Sequence, residues 1–388
     1  MDFSDIAVPL LRLPTAPFHE HHIVAAIRQM LGVWSDDSGA PLRTEQDEAG
    51  NLIIRYEGSL EGPWLCLTAH LDHPAMGYVE HLTPQDLLFE RLGGVPVDFS
   101  RDAPVRVHSI DDRHPPLMGR VTAYLEDALF AGESRPAFRI QLQDSADQVA
   151  AGSFAVWDLP DVAIKKGQLR ATACDDIAGV AVALTVLAKM IEESASARLS
   201  ILLTRAEETG FGGMLDITQS DHLDRDAVYV NIECSSCLSG APLGQGPVIR
   251  VGDKRWLFDP ALTAALVQAA EGDESAERIP CQRRLMDGGT CEATVLSRAG
   301  VPTAAVALPL ANYHNQGHKA VRREAINLND AEHLVRLLTR LARGGAARLQ
   351  DARADRLGQD LERRHRIQSP RLRETAPSLP QTPGDQSR

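Results

Sequence analysis

Histidines and acidic residues recur along this 388-residue chain at the ends of short apolar segments. In chain order, the candidates are His70, Asp72, Asp175, Asp176, Glu207, Glu208, Glu233 and His314. Two imidazoles combined with several carboxylates are a ligand set typical of Zn, Mn or Co, whereas oxygen ligands alone would favour Mg or Ca. One such group by itself is more often part of an ordinary polar surface. Five groups in succession favour a metal centre instead.

The hydrophobic pattern predicts the elements that must position these residues. Four continuous apolar runs are typical of strands buried on both faces, at residues 63–69, 200–204, 227–232 and 303–308. Helical patterns accompany them at 23–31, 177–193, 260–271, 291–299 and 330–343. The alternation predicts an α/β fold with a mixed, largely parallel sheet sandwiched by helices. Open α/β sheets bind ligands at the carboxyl ends of their strands, so the candidates are expected to meet there, with Glu233 ending its strand.

Residues 79–167 follow a different pattern. Val121, Ala123 and Leu125 alternate with polar neighbours, and turn formers such as Gly93-Gly94 interrupt the segment. This period-two alternation predicts a small antiparallel β domain, inserted into a catalytic domain of residues 1–78 and 168–344. Residues 345–388 contain nine Arg, six acidic residues and four Pro, and they contain no Phe, Trp or Tyr. Such a tail buries too little apolar surface to fold alone and is expected to be disordered or a loose helix.

Composition excludes several classes of partner. The formal net charge of −13 argues against a nucleic-acid binder and against adhesion to anionic membranes. The longest apolar stretch, residues 177–191, contains Lys189 and is too short to span a bilayer. The acidic N-terminus lacks the basic start and apolar run of a signal peptide, and six cysteines are too few for a disulfide framework. We therefore expect a cytoplasmic protein with reduced thiols.

Taken in order, these motifs resemble the tetrahedral (TET-type) and glutamyl aminopeptidases, a family of dinuclear metallopeptidases. The resemblance covers residues 1–344 and includes three further stretches: Arg91-Leu92-Gly93-Gly94-Val95, Leu243-Gly244-Gln245-Gly246-Pro247-Val248-Ile249 and Gly300-Val301-Pro302-Thr303. It implies an inserted small β-barrel that serves oligomerisation or substrate access. It also implies two divalent metal ions per subunit (Zn, or else Co or Mn), peptide substrates, and a homo-oligomer between a dimer and a dodecamer.

Position by position, the resemblance also implies a role for each candidate. His70 and Glu233 would bind one metal, Glu208 and His314 the other, and Asp175 would bridge both. Asp72 would hold the imidazole of His70, and Glu207 would be the general base that takes a proton from the attacking water. Asp176 would be a neighbour of the bridge without a ligand role.

The chain departs from the family pattern at three places. Glu233 stands where the family usually has Asp, and His73-Pro74 replaces part of the usual HxDEIG motif. Gly289-Thr290-Cys291-Glu292-Ala293 replaces the usual Gly-Thr-Asp-Ala, so Glu292 is either a group for the substrate's ammonium or an ordinary carboxylate at a helix start.

The predicted function is that of an aminopeptidase, which hydrolyses N-terminal residues from peptides with a metal-activated water as nucleophile. A metal-dependent amidohydrolase or deacylase of small acylated amino acids would use the same motifs. A non-catalytic metal-binding scaffold is the third reading.

Two other motifs are expected to have no catalytic role. Cys234-Ser235-Ser236-Cys237 is a single CxxC pair, and its cysteines are expected to be small buried side chains rather than zinc ligands. His19-Glu20-His21-His22 does not match the HExxH pattern of metalloproteases, and it is expected to begin the first helix.

Overall fold

The computed structural model describes residues 1–110, 114–237, 240–272, 277–351 and 356–375. The helices are α1 (Phe3–Leu10), α2 (His21–Ser38), α3 (Cys174–Glu192), α4 (Gly212–Ile217), α5 (Pro260–Glu271), α6 (Glu292–Arg298), α7 (Leu328–Asp351) and α8 (Arg356–Glu374). Strands β1 to β9 are Leu42–Gln46, Leu52–Glu57, Leu65–His70, Ala75–His81, Asp86–Leu92, Pro104–His108, Leu117–Phe130, Glu133–Leu142 and Phe154–Trp157. Strands β10 to β17 are Ala163–Lys165, Gln168–Ala171, Arg198–Thr204, Val228–Ser236, Val248–Asp253, Gln282–Met286, Thr303–Leu310 and Glu324–Asn327.

The largest sheet has eight strands in the order β1-β2-β12-β3-β13-β16-β14-β15. Its four central strands, β12, β3, β13 and β16, are parallel to one another, whereas β1, β2 and β14 join by antiparallel pairing. The prediction of an α/β fold with a mixed, largely parallel sheet is confirmed. Four parallel strands side by side bring four carboxyl ends to the same edge.

Burial on both faces of this sheet explains its continuous apolar runs. In β3, Leu65 and Leu67 face the main core around α3, whereas Cys66 faces a second cluster beneath α4 and α6. In β13, Val230 and Tyr229 divide between the two clusters in the same way. Alternate side chains therefore need partners on opposite sides, so both faces of these strands are mainly apolar. Two buried polar exceptions satisfy each other, since Asn231 Nδ2 donates a hydrogen bond to Thr68 Oγ1 at 3.0 Å.

Strands β4 to β9 form a closed antiparallel barrel in the order β4-β5-β8-β7-β6-β9. Its interior is apolar and includes Phe89, Phe138 and Trp157. The first barrel strand begins at Ala75 and continues through the predicted domain boundary after residue 78. A separate three-stranded sheet, β10-β11-β17, combines two strands that follow the barrel with one that follows β16, and it lies close to the start of α3.

Sequence patterns and structure differ at several element ends. Helix α1 has no counterpart in the predicted patterns, and β13 continues three residues past Glu233 to Ser236. The predicted tail begins inside α7, and its residues 356–374 form α8, whose side chains from 361 onward are almost all exposed. Residues 352–355 and 376–388 of the tail lie outside the described residues. In the described part of the chain, no helix has the length and apolarity needed to cross a bilayer.

Candidate metal centre

The candidate residues lie at the carboxyl edge of the four central strands. Five of them lie at or after the ends of strands. His70 ends β3, Glu207 and Glu208 follow β12, Glu233 lies near the end of β13, and His314 lies in the turn Tyr313–Asn315 after β16. The sixth, Asp175, lies in the first turn of α3. Since these strands are neighbours, side chains that are up to 244 positions apart in the chain converge. Of these six residues, all except His314 line one cavity of about 210 Å³.

Asp175 lies between the two histidines. Its Oδ1 is 3.4 Å from His70 Nε2, and its Oδ2 is 3.6 Å from His314 Nε2. Glu208 Oε1 is 3.2 Å from the same His314 nitrogen. Ligand atoms of His70, Asp175 and Glu208 all lie within 4.8 Å of one another. The two oxygens of one carboxylate therefore face two different imidazoles.

Several atoms of this cluster are buried without a hydrogen-bond partner among the described residues. They are Asp175 Oδ1, Glu233 Oε1 and His314 Nε2. Unpaired buried polar atoms are costly, and atoms with free lone pairs that converge on one space suit a cation. The residues present therefore fit divalent metal ions.

The charges of the cluster support the same conclusion. Burial raises the pKa of Glu233 to about 8, and the nearby Asp175 adds to the shift. Burial also raises the pKa of Glu207 well above its usual value, with Glu233 and Glu208 adding to the effect. Burial alone would lower the pKa of His70, but the surrounding carboxylates outweigh it and raise that pKa. The site thus holds more negative charge than a buried position tolerates, and cations would relieve the excess.

Asp72 connects the first histidine to the turn that carries Glu207 and Glu208. Its Oδ1 accepts a hydrogen bond from the Glu207 backbone N–H at 2.9 Å, and its Oδ2 accepts one from the Glu208 N–H at 3.0 Å. His70 Nδ1 lies 3.1 Å from the Asp72 backbone oxygen and 3.5 Å from Asp72 Oδ1. A proton on Nδ1 satisfies these oxygens and leaves the Nε2 lone pair directed toward Asp175.

The same turn is anchored from its other side by Glu20, which lies in the motif expected only to begin a helix. Glu20 is fully buried as the residue before α2. It accepts hydrogen bonds from Arg205 Nε at 2.7 Å and from the Ala206 N–H at 2.9 Å. Ala206 has a positive φ of 52°, a conformation unfavourable for a side chain with Cβ. Glu20 and Asp72 together hold the strained turn that presents Glu207.

Glu324 is a positioning residue that the sequence analysis missed. It is fully buried in β17 and accepts hydrogen bonds from the Asp175 N–H at 2.9 Å and the His314 N–H at 2.8 Å. One carboxylate therefore sets the backbone of two candidate ligands. The available signal was weak, because Glu324 follows no apolar run and lies 149 positions from Asp175.

His73 occupies the position where the family pattern has an acidic residue. Its Nδ1 lies 2.7 Å from the Asp175 backbone oxygen, and its Nε2 lies 3.0 Å from Asn315 Oδ1. Asn315 in turn donates from Nδ2 to the Thr172 backbone oxygen at 2.8 Å. His73 thus contacts the backbone of one candidate ligand and the neighbour of another.

Two glycines of the barrel bring its first hairpin against the metal centre. A Cβ on Gly94 would lie 2.1 Å from His314 Nδ1, and one on Gly93 would lie 2.9 Å from the Cβ of Glu208. The loop after β5 therefore packs directly on the two residues assigned to the second metal. The sequence analysis used these glycines only as turn formers and as part of a matching stretch.

The remaining candidates are placed as follows. Glu292 is fully buried at the start of α6, does not line the cavity, and has its pKa raised to about 7 by burial. Asp176 and Cys234 form a second group with Asp175 whose ligand atoms lie within 4.8 Å of one another, but neither lines the cavity. Cys234 is buried and Cys237 is half-buried.

Comparison with known proteins places this geometry in a family. A sequence model of the M42 glutamyl aminopeptidases matches residues 50–337. The fold is similar to that of a TET aminopeptidase from a thaumarchaeon of marine sediment, with a TM-score of 0.74 and 18% identity over 90% of this chain and 99% of that one. It is also similar to an aminopeptidase from the archaeon Desulfurococcus kamchatkensis, with a TM-score of 0.72 and 21% identity over 91% of this chain and 98% of that one.

A third similar structure is the TET1 peptidase of Pyrococcus horikoshii, which can assemble into a tetrahedron or a large octahedral shell. Its TM-score is 0.71 and its identity 20%, over 88% of this chain and 99% of that one. At these identities the structures establish the fold, whereas the family follows from the sequence model, which spans most of the chain. The chain belongs to the M42 glutamyl aminopeptidase family and is a metal-dependent aminopeptidase.

Proposed function

We propose that this aminopeptidase holds two divalent ions, with His70 and Glu233 on one, Glu208 and His314 on the other, and Asp175 shared between them. The observation that carries this proposal is the position of Asp175, whose two carboxylate oxygens lie 3.4 and 3.6 Å from different histidines. A carboxylate in that position can coordinate two ions, one through each oxygen. The mixed nitrogen and oxygen ligand set favours Zn, with Co or Mn as alternatives.

When bound, such ions supply Lewis acidity, which lowers the pKa of a water and stabilises the oxyanion of the tetrahedral intermediate. Glu207 then has the remaining task of moving protons. It lines the cavity next to Glu208, and its backbone is fixed by Asp72. We assign Glu207 as the base that accepts a proton from the attacking water and returns it to the leaving amine.

We further propose that peptides with a free amino terminus are the substrates. The match to the glutamyl aminopeptidase family model over residues 50–337 supports this choice. The acidic residues that line the cavity are the proposed metal ligands and base, and a deacylase of small acylated amino acids would use the same groups, so the choice of substrate needs the direct test below. A scaffold without catalysis would not need Glu207 beside the ligands.

The barrel of strands β4 to β9 is proposed to be an inserted domain that serves oligomerisation or substrate access, with the remainder of residues 1–344 forming the catalytic domain. Two observations support this division: the closed strand order and the separate apolar interior. We propose a homo-oligomer between a dimer and a dodecamer, consistent with the shells formed by the Pyrococcus horikoshii relative.

We also propose that the protein is cytoplasmic. The six free cysteines are consistent with a reducing cytoplasm.

One experiment tests the proposed function. A library of peptides with free amino termini is incubated with the enzyme loaded in turn with Zn, Co and Mn, and each peptide is matched by its N-acetylated form. Release of single N-terminal residues from the free peptides only is expected. Hydrolysis restricted to the acylated compounds would instead establish a deacylase, and no hydrolysis with any metal would support a scaffold.

A further inference from the structure

Four histidines surround Phe154 where the barrel meets the amino-terminal part of the chain. Phe154 is fully buried in β9, and it forms an apolar cluster with Ala75 of β4 and with Ala16, which lies between α1 and α2. Three of the histidines come from the start of α2 and the residues before it, and the fourth ends β6 opposite Phe154. The four are His19, His21, His22 and His108.

Two of the imidazoles stack on the Phe154 ring. The centroid of His19 lies 5.2 Å from that of Phe154 with 10° between the ring planes, and the centroid of His108 lies at 5.4 Å with 20°. His21 meets the same ring edge-on at 6.3 Å, and the His22 ring is 6.4 Å from that of His108. Stacked aromatic rings at these distances attract each other. The stack therefore joins the amino-terminal segment to the barrel.

The surroundings of His19 oppose a positive charge on its ring. The charged and titratable side chains that face it are His21 and Arg205, and no carboxylate is paired with it among the described residues. Arg205 is itself paired with Glu20 at 2.7 Å. Burial lowers the pKa of His19 to about 4, with smaller contributions from His21 and Arg205. Protonation would therefore place an uncompensated charge in the junction.

His108 has the same kind of surroundings on the barrel side. Arg106, His22 and His21 face it, and Arg106 is paired with Asp158 at 3.1 Å. The His108 Nε2 is buried without a hydrogen-bond partner in the part of the chain that the structure describes. Burial lowers the pKa of His108 to about 4, and the neighbouring Arg106 adds to the shift. This ring is thus also held in its neutral form.

A protonated imidazole is attracted to the face of a phenyl ring, which would favour charging of the stack. Two observations outweigh this attraction. Both stacked rings are partly removed from solvent, and further histidines and arginines stand beside them. The stacked arrangement therefore suits neutral histidines.

The segment that carries three of these histidines also anchors the turn before Glu207. Glu20 lies within the histidine motif and accepts hydrogen bonds from Arg205 Nε at 2.7 Å and from the Ala206 N–H at 2.9 Å. A movement of this segment away from Phe154 would withdraw the carboxylate that anchors the turn.

We propose that this junction is an acid-sensitive switch, in which protonation of His19 and His108 separates the amino-terminal segment from the barrel and releases the turn that presents Glu207. The pKa of each histidine is lower in the closed junction than the usual 6.5, so the closed state is fully favoured above pH 6.5 and loses stability as the pH falls toward 4. With these values the closing equilibrium falls about tenfold per histidine between pH 7.5 and pH 5.5. The switch goes beyond the proposed function and needs none of the metal ligands.

Hydrogen exchange followed by mass spectrometry measures the opening of the junction without reference to activity. Amides of residues 16–22, 105–108 and 154–157 are compared at pH 7.5 and pH 5.5 after correction for the intrinsic exchange rate. Their protection should fall by about a hundredfold in the parent, as the two tenfold steps require. Protection of residues 180–190, in the centre of α3, should stay constant and thereby exclude global unfolding.

His19→Phe and His108→Phe keep an aromatic ring for stacking and remove the titrating nitrogen atoms. Each should remove about one tenfold step of the pH effect, and the double variant should remove both. His365→Phe, at an exposed histidine of α8, is the matched control and should behave as the parent does. Unchanged protection in the parent at pH 5.5, or an equal loss in the parent and in the double variant, would overturn the switch. If the double variant does not fold, the single variants decide, since each must retain only one step.

The link to the turn is tested in the same exchange experiment. Protection of residues 205–208 should fall together with that of the junction in the parent and should persist at pH 5.5 in the double variant. Loss of junction protection while residues 205–208 remain protected would overturn the release of the turn.

Discussion

The carboxyl edge of the eight-stranded sheet and the interior of the barrel are both shielded from solvent, but they bury different chemical groups. The barrel encloses Phe89, Phe138 and Trp157, and its closure pairs the edges of its strands. The sheet edge encloses His70, Asp175 and Glu233, with several atoms unpaired among the described residues. Burial stabilises the first region, whereas it destabilises the second region until cations bind.

This difference shows where stability and function are located. Removing apolar volume from the barrel should cost folding free energy without changing the chemistry of the site. Changing one oxygen or nitrogen at the sheet edge should change metal binding or turnover with little loss of stability. Gly93 and Gly94 are the exception, since they belong to the barrel but contact Glu208 and His314.

The largest effect is expected for Asp175→Asn, because the proposed bridge serves both ions. Metal content should fall and turnover should drop to the level of the metal-free protein. Asp176→Asn is the matched control, since Asp176 is the adjacent residue and does not line the cavity. Elemental analysis and turnover of both variants provide the measurement. Equal and full metal content in the two would contradict the bridging role.

Glu207→Gln should lower turnover by about two to four orders of magnitude, because it keeps the shape of the side chain and removes its basicity. Its metal content should remain near that of the parent. Glu208→Gln changes the neighbouring residue in the same way and should lose metal together with activity. Substantial turnover in Glu207→Gln, or loss of its metal, would show that base and ligand are wrongly assigned.

Phe138→Ala tests the other side of the comparison. Phe138 is fully buried in the barrel, and its truncation should lower the free energy of unfolding by about 3–5 kcal/mol. Leu129→Ala, at a barrel residue that is 75% exposed, should change it by less than about 0.5 kcal/mol. Chemical denaturation measures both. If the folded fraction of Phe138→Ala bound metal more weakly than the parent, the barrel and the site would not be energetically separate.

The smallest effect is expected where the two regions touch. In Gly94→Ala the new methyl group would lie 2.1 Å from His314 Nδ1, so the imidazole or the loop must move. Metal affinity should fall by about ten- to a hundredfold, as for other residues that orient a metal ligand. Gly32→Ala, a glycine in α2 with no atom within 4 Å of the added Cβ, should leave metal affinity unchanged. Unaltered affinity in Gly94→Ala would mean that this contact adjusts without cost.

The sequence by itself determined the main features of the sheet and the types of residue at its edge. Strands β3, β12, β13 and β16 were predictable because burial on both faces requires uninterrupted apolar runs, which are visible in the local pattern. The candidate site residues could be identified for the same reason, since each follows or adjoins such a pattern. They are His70, Asp175, Glu207, Glu208, Glu233 and His314. The fold class and the family followed from their order.

Only the tertiary structure decided how these residues are held. Glu324 hydrogen-bonds the backbones of Asp175 and His314, and Glu20 fixes the turn at Ala206, although each is more than 100 positions from at least one partner. Nothing in the sequence around residue 94 indicates that Gly94 packs against His314. Such contacts depend on how distant elements pack, and packing leaves no periodicity in the local sequence. Residue types set the chemistry that is available, and long-range packing determines which atoms meet and which buried groups remain for a ligand to satisfy.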